Sequence, residues 1–222
     1  QEMLANDFIA NVSHEFKNPL SAIQGYAQLL EGDDIPHDTK AEYINLISDK
    51  TNTLSDLVTD ILQLSKLDNQ SVDIKKTTFM LDEQIRKSIL MLEKEWTAKN
   101  IEFNLKLNNV SYYGGEYLIG EIWHNLIENA IKFSNENDTI SIRLSGHRKS
   151  VSVTIADKGI GMDRETRNRI FDKFYQKDHS VFKGNGLGLC IVRKIVDLHS
   201  GTITVNSQLN EGTTFIINLP KL

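Results

Sequence analysis

Cysteine is almost missing from this chain: Cys190 is the single one among 222 residues. One thiol cannot close an internal disulfide and cannot build a zinc site alone. Cys190 lies in an apolar helical run and reads as a small core residue, and a reduced, intracellular setting fits the chain. Long hydrophobic runs are missing too. No stretch approaches the ~20 apolar residues of a membrane-spanning helix, and no signal peptide is visible. Positive charge is in deficit, with a formal net charge of −5. That balance argues against nucleic acid as the main partner, because phosphate backbones attract basic surfaces. There are no repeats and no low-complexity segments. An initiator methionine is also absent, since the chain opens Gln1-Glu2. It is therefore read as a piece of a longer protein, and the lack of membrane segments is not extended to the parent. What remains is 40% hydrophobic and 25% charged, a core-forming balance for one or two domains.

Two regions differ in their periodicity. Residues 2–31 repeat Phe8, Val12, Phe16, Ile23, Ala27 and Leu30 at spacings near 3.5, which predicts a long helix. Pro19 falls inside it and should bend it. A turn follows at Gly32-Asp33-Asp34-Ile35-Pro36-His37, with Asp38 as the expected N-cap of a second helix running to about Asp68. Ile44, Ile47, Thr51, Leu54, Val58, Ile61 and Ser65 of that helix alternate by three and four, a heptad seam. Burying a large aliphatic side chain is worth roughly 1.5–3 kcal/mol, so a lone hairpin has a strong drive to associate. Two hairpins forming a four-helix bundle predict a homodimer. The competing expectation is cover from the C-terminal part of the same chain.

Residues 69–77 lose the helical period and read as a connector. Beyond them helical and strand patterns alternate. Leu81 to Lys99, Tyr117 to Phe133 and Leu187 to His199 read as helices, the last ended by Gly201. Ile101–Leu105, Ile140–Leu144, Val151–Ile155, Thr202–Asn206 and Thr213–Leu219 read as strands. Neighbouring antiparallel strands with helices on one face predict an α/β two-layer sandwich. The expected division is 1–72 for the hairpin and 73–222 for the sandwich.

Three elements of the second region carry possible chemistry. Asn125, Asn129 and Lys132 share one helical edge at i, i+4 and i+7. A carboxamide oxygen is a hard ligand that suits Mg²⁺ shared with phosphates, and an ammonium neutralises phosphate charge. Asp157 follows a strand and precedes Gly159-Ile160-Gly161. A carboxylate there can accept from an adenine amino group, and glycines let the backbone approach a flat ring. Lys183-Gly184-Asn185-Gly186-Leu187-Gly188 leads into a helix, whose free N–H groups attract phosphate. It is neither a Rossmann fingerprint nor a P-loop. Each element alone is a weak signal: a solvated helix face, an ordinary turn, a glycine-rich loop.

Their conjunction resembles the N box and the first and second glycine boxes of the ATPase fold shared by histidine kinases, gyrase, Hsp90 and MutL. Ile170-Phe171-Asp172-Lys173-Phe174-Tyr175 resembles the F box of histidine kinases, and Gly212-Thr213-Thr214-Phe215 their last glycine box. Near the start, Ser13-His14-Glu15-Phe16-Lys17-Asn18-Pro19 resembles the H box of sensor histidine kinases, usually written Ser-His-Glu-Leu-Arg-Thr-Pro. Phe16, Lys17 and Asn185 depart mildly from these patterns. The resemblance spans about residues 2–220.

It implies a two-component sensor histidine kinase core: an N-terminal helical hairpin forming a dimeric four-helix bundle, followed by an α/β two-layer sandwich that binds ATP. His14 would accept the γ-phosphate, Glu15 would be its acid/base partner, and Asn18 would position water for dephosphorylating a response regulator. Asn129 would hold Mg²⁺, with Asn125, Lys132 and Phe133 beside the nucleotide and Asp157 on adenine. Gly159, Gly161, Lys183, Gly184, Gly186, Leu187 and Gly188 would form the surrounding loops, and residues 162–183 a mobile lid. The implied partners are a second copy and a response regulator receiver domain, with a cytoplasmic placement and a membrane-anchored parent. Two rivals are a nucleotide-driven clamp or chaperone and a non-enzymatic dimeric scaffold. The clamp would need a catalytic Glu where this chain has Asn125. His37, His124, His147, His179 and His199 match no motif and read as structural or solvated.

Overall fold

The computed structural model describes residues 2–32, 34–68, 74–177 and 184–221, with side chains from residue 8 onward. Two long helices come first, α1 (Glu2–Leu29) and α2 (His37–Asp68), packed side by side as a hairpin. Pro19 is buried and α1 continues through it. Asp38 is not the N-cap. Helix α2 already begins at His37, and Asp38 sits in the first turn, where a carboxylate suits the positive end of the dipole.

The seam of α2 is partly uncovered in the single chain: Ile44 is 51% and Val58 40% exposed, Ile47 and Leu54 are half-buried, and Ile61 packs against the core. The fully buried residues of α2 are Leu57 and Leu64, which the seam does not include. They belong to the same apolar cluster as the core of the second region. Helix α2 therefore has two apolar faces, one against that core and one open.

The second region contains β1 (Thr77–Met80), α3 (Leu81–Met91), α4 (Glu93–Ala98), β2 (Glu102–Leu107), β3 (Ser111–Gly114), α5 (Glu116–Phe133), β4 (Thr139–Gly146) and β5 (Ser150–Ala156). It continues with α6 (Arg164–Arg169), α7 (Gly188–Leu198), β6 (Thr202–Gln208) and β7 (Gly212–Pro220). The main sheet has the order β2-β4-β5-β7-β6, and β1 pairs with β3 in a separate ribbon. The expectation of uniformly antiparallel neighbours needs correction: β2 and β4 run parallel, joined by the crossover that carries α5. Ile140, Ile142 and Leu144 of β4, Val151, Val153 and Ile155 of β5, and Phe215, Ile217 and Leu219 of β7 alternate into one buried layer. Ile122, Leu126 and Ile127 of α5 and Ile191, Val192 and Ile195 of α7 complete it.

Local chemistry sets the element ends. The predicted helix Leu81–Lys99 splits at Leu92 into α3 and α4. Helix α4 stops because Asn100 takes φ +51 while its N–H bonds the Thr97 carbonyl and the Ile101 N–H bonds the Trp96 carbonyl. Helix α7 ends the same way. Ser200 takes φ +54 and Gly201 N–H reaches the Val196 carbonyl, so Gly201 follows the left-handed residue instead of supplying it.

Candidate nucleotide site

A cleft of about 1750 Å³ runs from α2, β1 and α3 along α5 to the N-terminus of α7 and the turns after β5 and β6. Asn125, Asn129, Lys132 and Phe133 line it from α5, Asp157 and Gly161 from the turn after β5, and Gly184, Gly186 and Gly188 from the start of α7. Gly159 and Leu187 are buried just behind this lining. Lys183 lies outside the described residues, as does His179.

The three elements are locked together. Asn125 Nδ2 donates to the Glu121 carbonyl at 2.9 Å, which aims its Oδ1 at α7. A side-chain carbon on Gly188 would collide with that oxygen, so a larger residue there would push the Asn125 carboxamide aside. Asn129 lies one turn further on, and its carboxamide makes no hydrogen bond among the described residues. Lys132 Nζ sits 5.0 Å from the Phe133 ring centre. Burial pushes its pKa down, against the pull of the Glu128 charge. A half-buried ammonium facing this cleft is a site that an anion would complete.

Asp157 is held by two backbone donors. Gly159 N–H reaches its Oδ1 at 2.9 Å and Thr213 N–H reaches the same oxygen at 3.1 Å. Burial pushes this carboxyl up, and those two donors work against the rise. Both bonds land on one oxygen, so the other can face the cleft. Ile160 N–H, 3.2 Å from the Phe133 carbonyl, ties the turn to the end of α5.

His14, Glu15 and Asn18 do not line this cleft. They sit together on α1, with the His14 side chain 72% exposed. Asn18 Nδ2 lies 3.5 Å and Glu15 Oε1 3.9 Å from His14 Nδ1. Both neighbours approach Nδ1, which leaves Nε2 as the open ring nitrogen.

Sequence reasoning missed two contributors, Lys99 and Asp60, and read His199 only as structural or solvated. Lys99 donates from Nζ to the Ile131, Lys132 and Ser134 carbonyls at 2.8–2.9 Å, capping the end of α5. His199 accepts the Gly115 N–H on Nε2 at 3.3 Å, while its Nδ1 sits 2.8 Å from the Ile195 carbonyl. That joins α7 to the start of α5. Asn185 bonds Asp60 of α2. The lysine has no periodic signature, and the other two contacts are long-range. Lys-Asn before a strand was the only available hint for Lys99.

Two family profiles cover most of the chain. One, described as His Kinase A (phospho-acceptor) domain, matches residues 4–70. The other, described as Histidine kinase-, DNA gyrase B-, and HSP90-like ATPase, matches residues 114–222. The catalytic domain of histidine kinase ThkA superposes with a TM-score of 0.60 at 31% identity, covering 66% of this chain and 96% of that one.

This chain belongs to the two-component histidine kinases.

The heme sensor protein HssS of Staphylococcus saprophyticus is 37% identical over 215 residues, 97% of this chain and 46% of that protein. The chain thus spans under half of such relatives. A structure of ThkA in complex with response regulator protein TrrA superposes with a TM-score of 0.79 at 28% identity, covering 97% of this histidine kinase chain and 61% of that one. Membership in the ATPase family implies that the nucleotide is ATP.

The donor set also suits magnesium. No cluster of three His, Cys, Asp or Glu side chains able to hold a metal exists among the described residues. The unpartnered Asn129 carboxamide offers one hard oxygen, which fits an ion whose other ligands are phosphate and water.

Proposed function

We propose that this histidine kinase core transfers the γ-phosphate of ATP to Nε2 of His14 and then to an aspartate of a response regulator receiver domain. The observation that carries the reading is the pairing, in one chain, of an exposed His14 flanked by Glu15 and Asn18 with a cleft lined by Asn129, Lys132 and Asp157. The Nε2 lone pair attacks phosphorus and the bond to the bridging oxygen breaks, so ADP leaves. Glu15 takes the Nδ1 proton as the ring becomes cationic. Asp157 would accept the adenine amino group, and Lys132 and the α7 amides would hold phosphate. Gly159, Gly161, Lys183, Gly184, Gly186, Leu187 and Gly188 would shape the loops, with Phe133 and Asn125 behind the phosphates. Mg²⁺, held by Asn129, would offset phosphate charge. Asn18 would serve the reverse, hydrolytic activity by placing water at the phosphorylated regulator.

His14 stands apart from the cleft, so transfer requires movement of the sandwich or delivery of His14 by a second subunit. Dimerisation through the open seam of α2 supports that second route. The division at 1–72 and 73–222 is part of this reading, as is a cytoplasmic core in a membrane-anchored parent. No helix among the described residues is long and apolar enough to cross a membrane.

The test is incubation with γ-labelled Mg-ATP. Acid-labile, alkali-stable label is expected on the wild type and on neither His14→Ala nor Asn129→Ala. Added receiver domain should then remove it. Label that persists in His14→Ala, or steady ATP hydrolysis by that variant, would overturn the proposal.

A further inference from the structure

Both helices of the hairpin reach the loop at the start of α7. From α2, Asp60 Oδ2 accepts Asn185 Nδ2 at 2.6 Å. Asn185 Oδ1 in turn accepts the Leu187 N–H at 3.0 Å. From α1, the Phe8 ring lies 5.5 Å from the Phe174 ring, centre to centre. Phe174 takes φ +63, a strained conformation for a bulky residue, and its N–H bonds the Gly186 carbonyl at 3.0 Å. One turn beyond Leu64, Asp68 pairs with Lys173 at 3.1 Å and also with Lys194. The loop that would receive phosphate is thus held from the hairpin side by a chain of contacts.

The contact is costly to the groups that make it. Burial pushes the Asp60 carboxyl up, and the Asp56 charge adds to the rise against the Asn185 bond. Asp56, Asp60 and Glu121 face the same cleft. A triphosphate entering there meets a wall of carboxylates, and finds Leu187 N–H and the Asn185 amide already engaged.

We propose that Asp60 and Asn185 form an autoinhibitory latch, which docks the hairpin on the second glycine loop and competes with the nucleotide for that loop. The inference rests on the nucleotide site proposed above. Because Asp60 holds Asn185 in the arrangement that occupies the Leu187 N–H, the latch and the triphosphate compete for one loop and each weakens the other by the same factor. Nucleotide binding therefore weakens the hold of α2 on the second glycine loop, which favours the first of the two routes to His14.

Two measurements on the full chain test it. Without nucleotide, hydrogen exchange at the amides of Asn185, Gly186 and Leu187 should quicken in Asp60→Ala relative to wild type. Unchanged exchange overturns the latch. With Mg²⁺ and a non-hydrolysable ATP analogue, calorimetry should show about fivefold tighter binding in Asp60→Ala, the worth of one net hydrogen bond. In an Asn185→Ala background, Asp60→Ala should bring no further tightening, because the two residues share one contact. Equal or weaker binding in Asp60→Ala overturns the proposal, as does equal tightening by Asp56→Ala, which removes a nearby carboxylate that does not touch Asn185. Asp60→Asn keeps the side-chain shape and should fall between wild type and Asp60→Ala in both measurements. A wild type that fails to bind the analogue overturns the nucleotide site itself, while the exchange measurement still judges the contact.

Discussion

Lys99 shows how one side chain outside the motifs can hold them in place. Its ammonium satisfies three carbonyls at the negative end of α5, the helix that carries Asn125, Asn129 and Lys132. Lys99→Met should cost about 1–3 kcal/mol of stability, given three charge-assisted bonds on a partly exposed group. Lys99→Arg should recover part of it, both read from urea unfolding midpoints. His199 carries a pH dependence. Burial holds its pKa below the ordinary 6.5, although the Ile195 carbonyl pulls the other way. The folded form then binds fewer protons than the unfolded form. Its contribution is fully present above about pH 6.5 and is lost as pH falls through the depressed folded value. Unfolding midpoints from pH 8 down to 5 should decline in the wild type, and less steeply in His199→Gln.

At the scale of elements, the turn after β5 is the most exacting piece. Gly161 takes φ +61, and a side-chain carbon there would run into the Gln208 carbonyl. Gly161→Ala should lose roughly 2 kcal/mol or more, and nucleotide binding with it, as measured by melting with and without ATP analogue. Such positions were legible in the sequence because two glycines two apart just after a strand, Gly159 and Gly161, signal an unusual backbone. The helices α5 and α7 were legible for a different reason: their apolar stripes are long and strictly periodic. Other elements were not. Ribbon strands β1 and β3 are four residues each, too short for a period to accumulate. Helix α6 is six residues of charged and polar side chains, held by its Asp163 cap, with the Thr166 N–H donating to Oδ1 at 2.7 Å. The parallel pairing of β2 and β4 escaped notice because strand direction leaves no mark on alternation. The site showed the same divide. Residues within a motif were readable one by one, whereas Asp60, Lys99 and His199 act across 32 to 125 positions of chain.

For the whole molecule, the two apolar faces of α2 separate two associations. Leu57 and Leu64 serve the chain's own core, and the seam through Ile44 and Val58 stays open. Analytical ultracentrifugation should find a dimer for the wild type and a monomer for Ile44→Asp/Val58→Asp, with a cooperative melt retained. A wild-type monomer would remove the seam as an interface. The sheet order has a further consequence. Strand β7 is inserted between β5 and β6, both of which precede it in the chain. On the ribosome, β5 therefore waits with one unpaired edge, and β6 has no neighbour at all, until residue 220 has emerged. For that interval the nascent chain presents three bare hydrogen-bonding edges, one on β5 and both on β6, and premature termination before Gly212 would leave them permanently open to pairing with other chains.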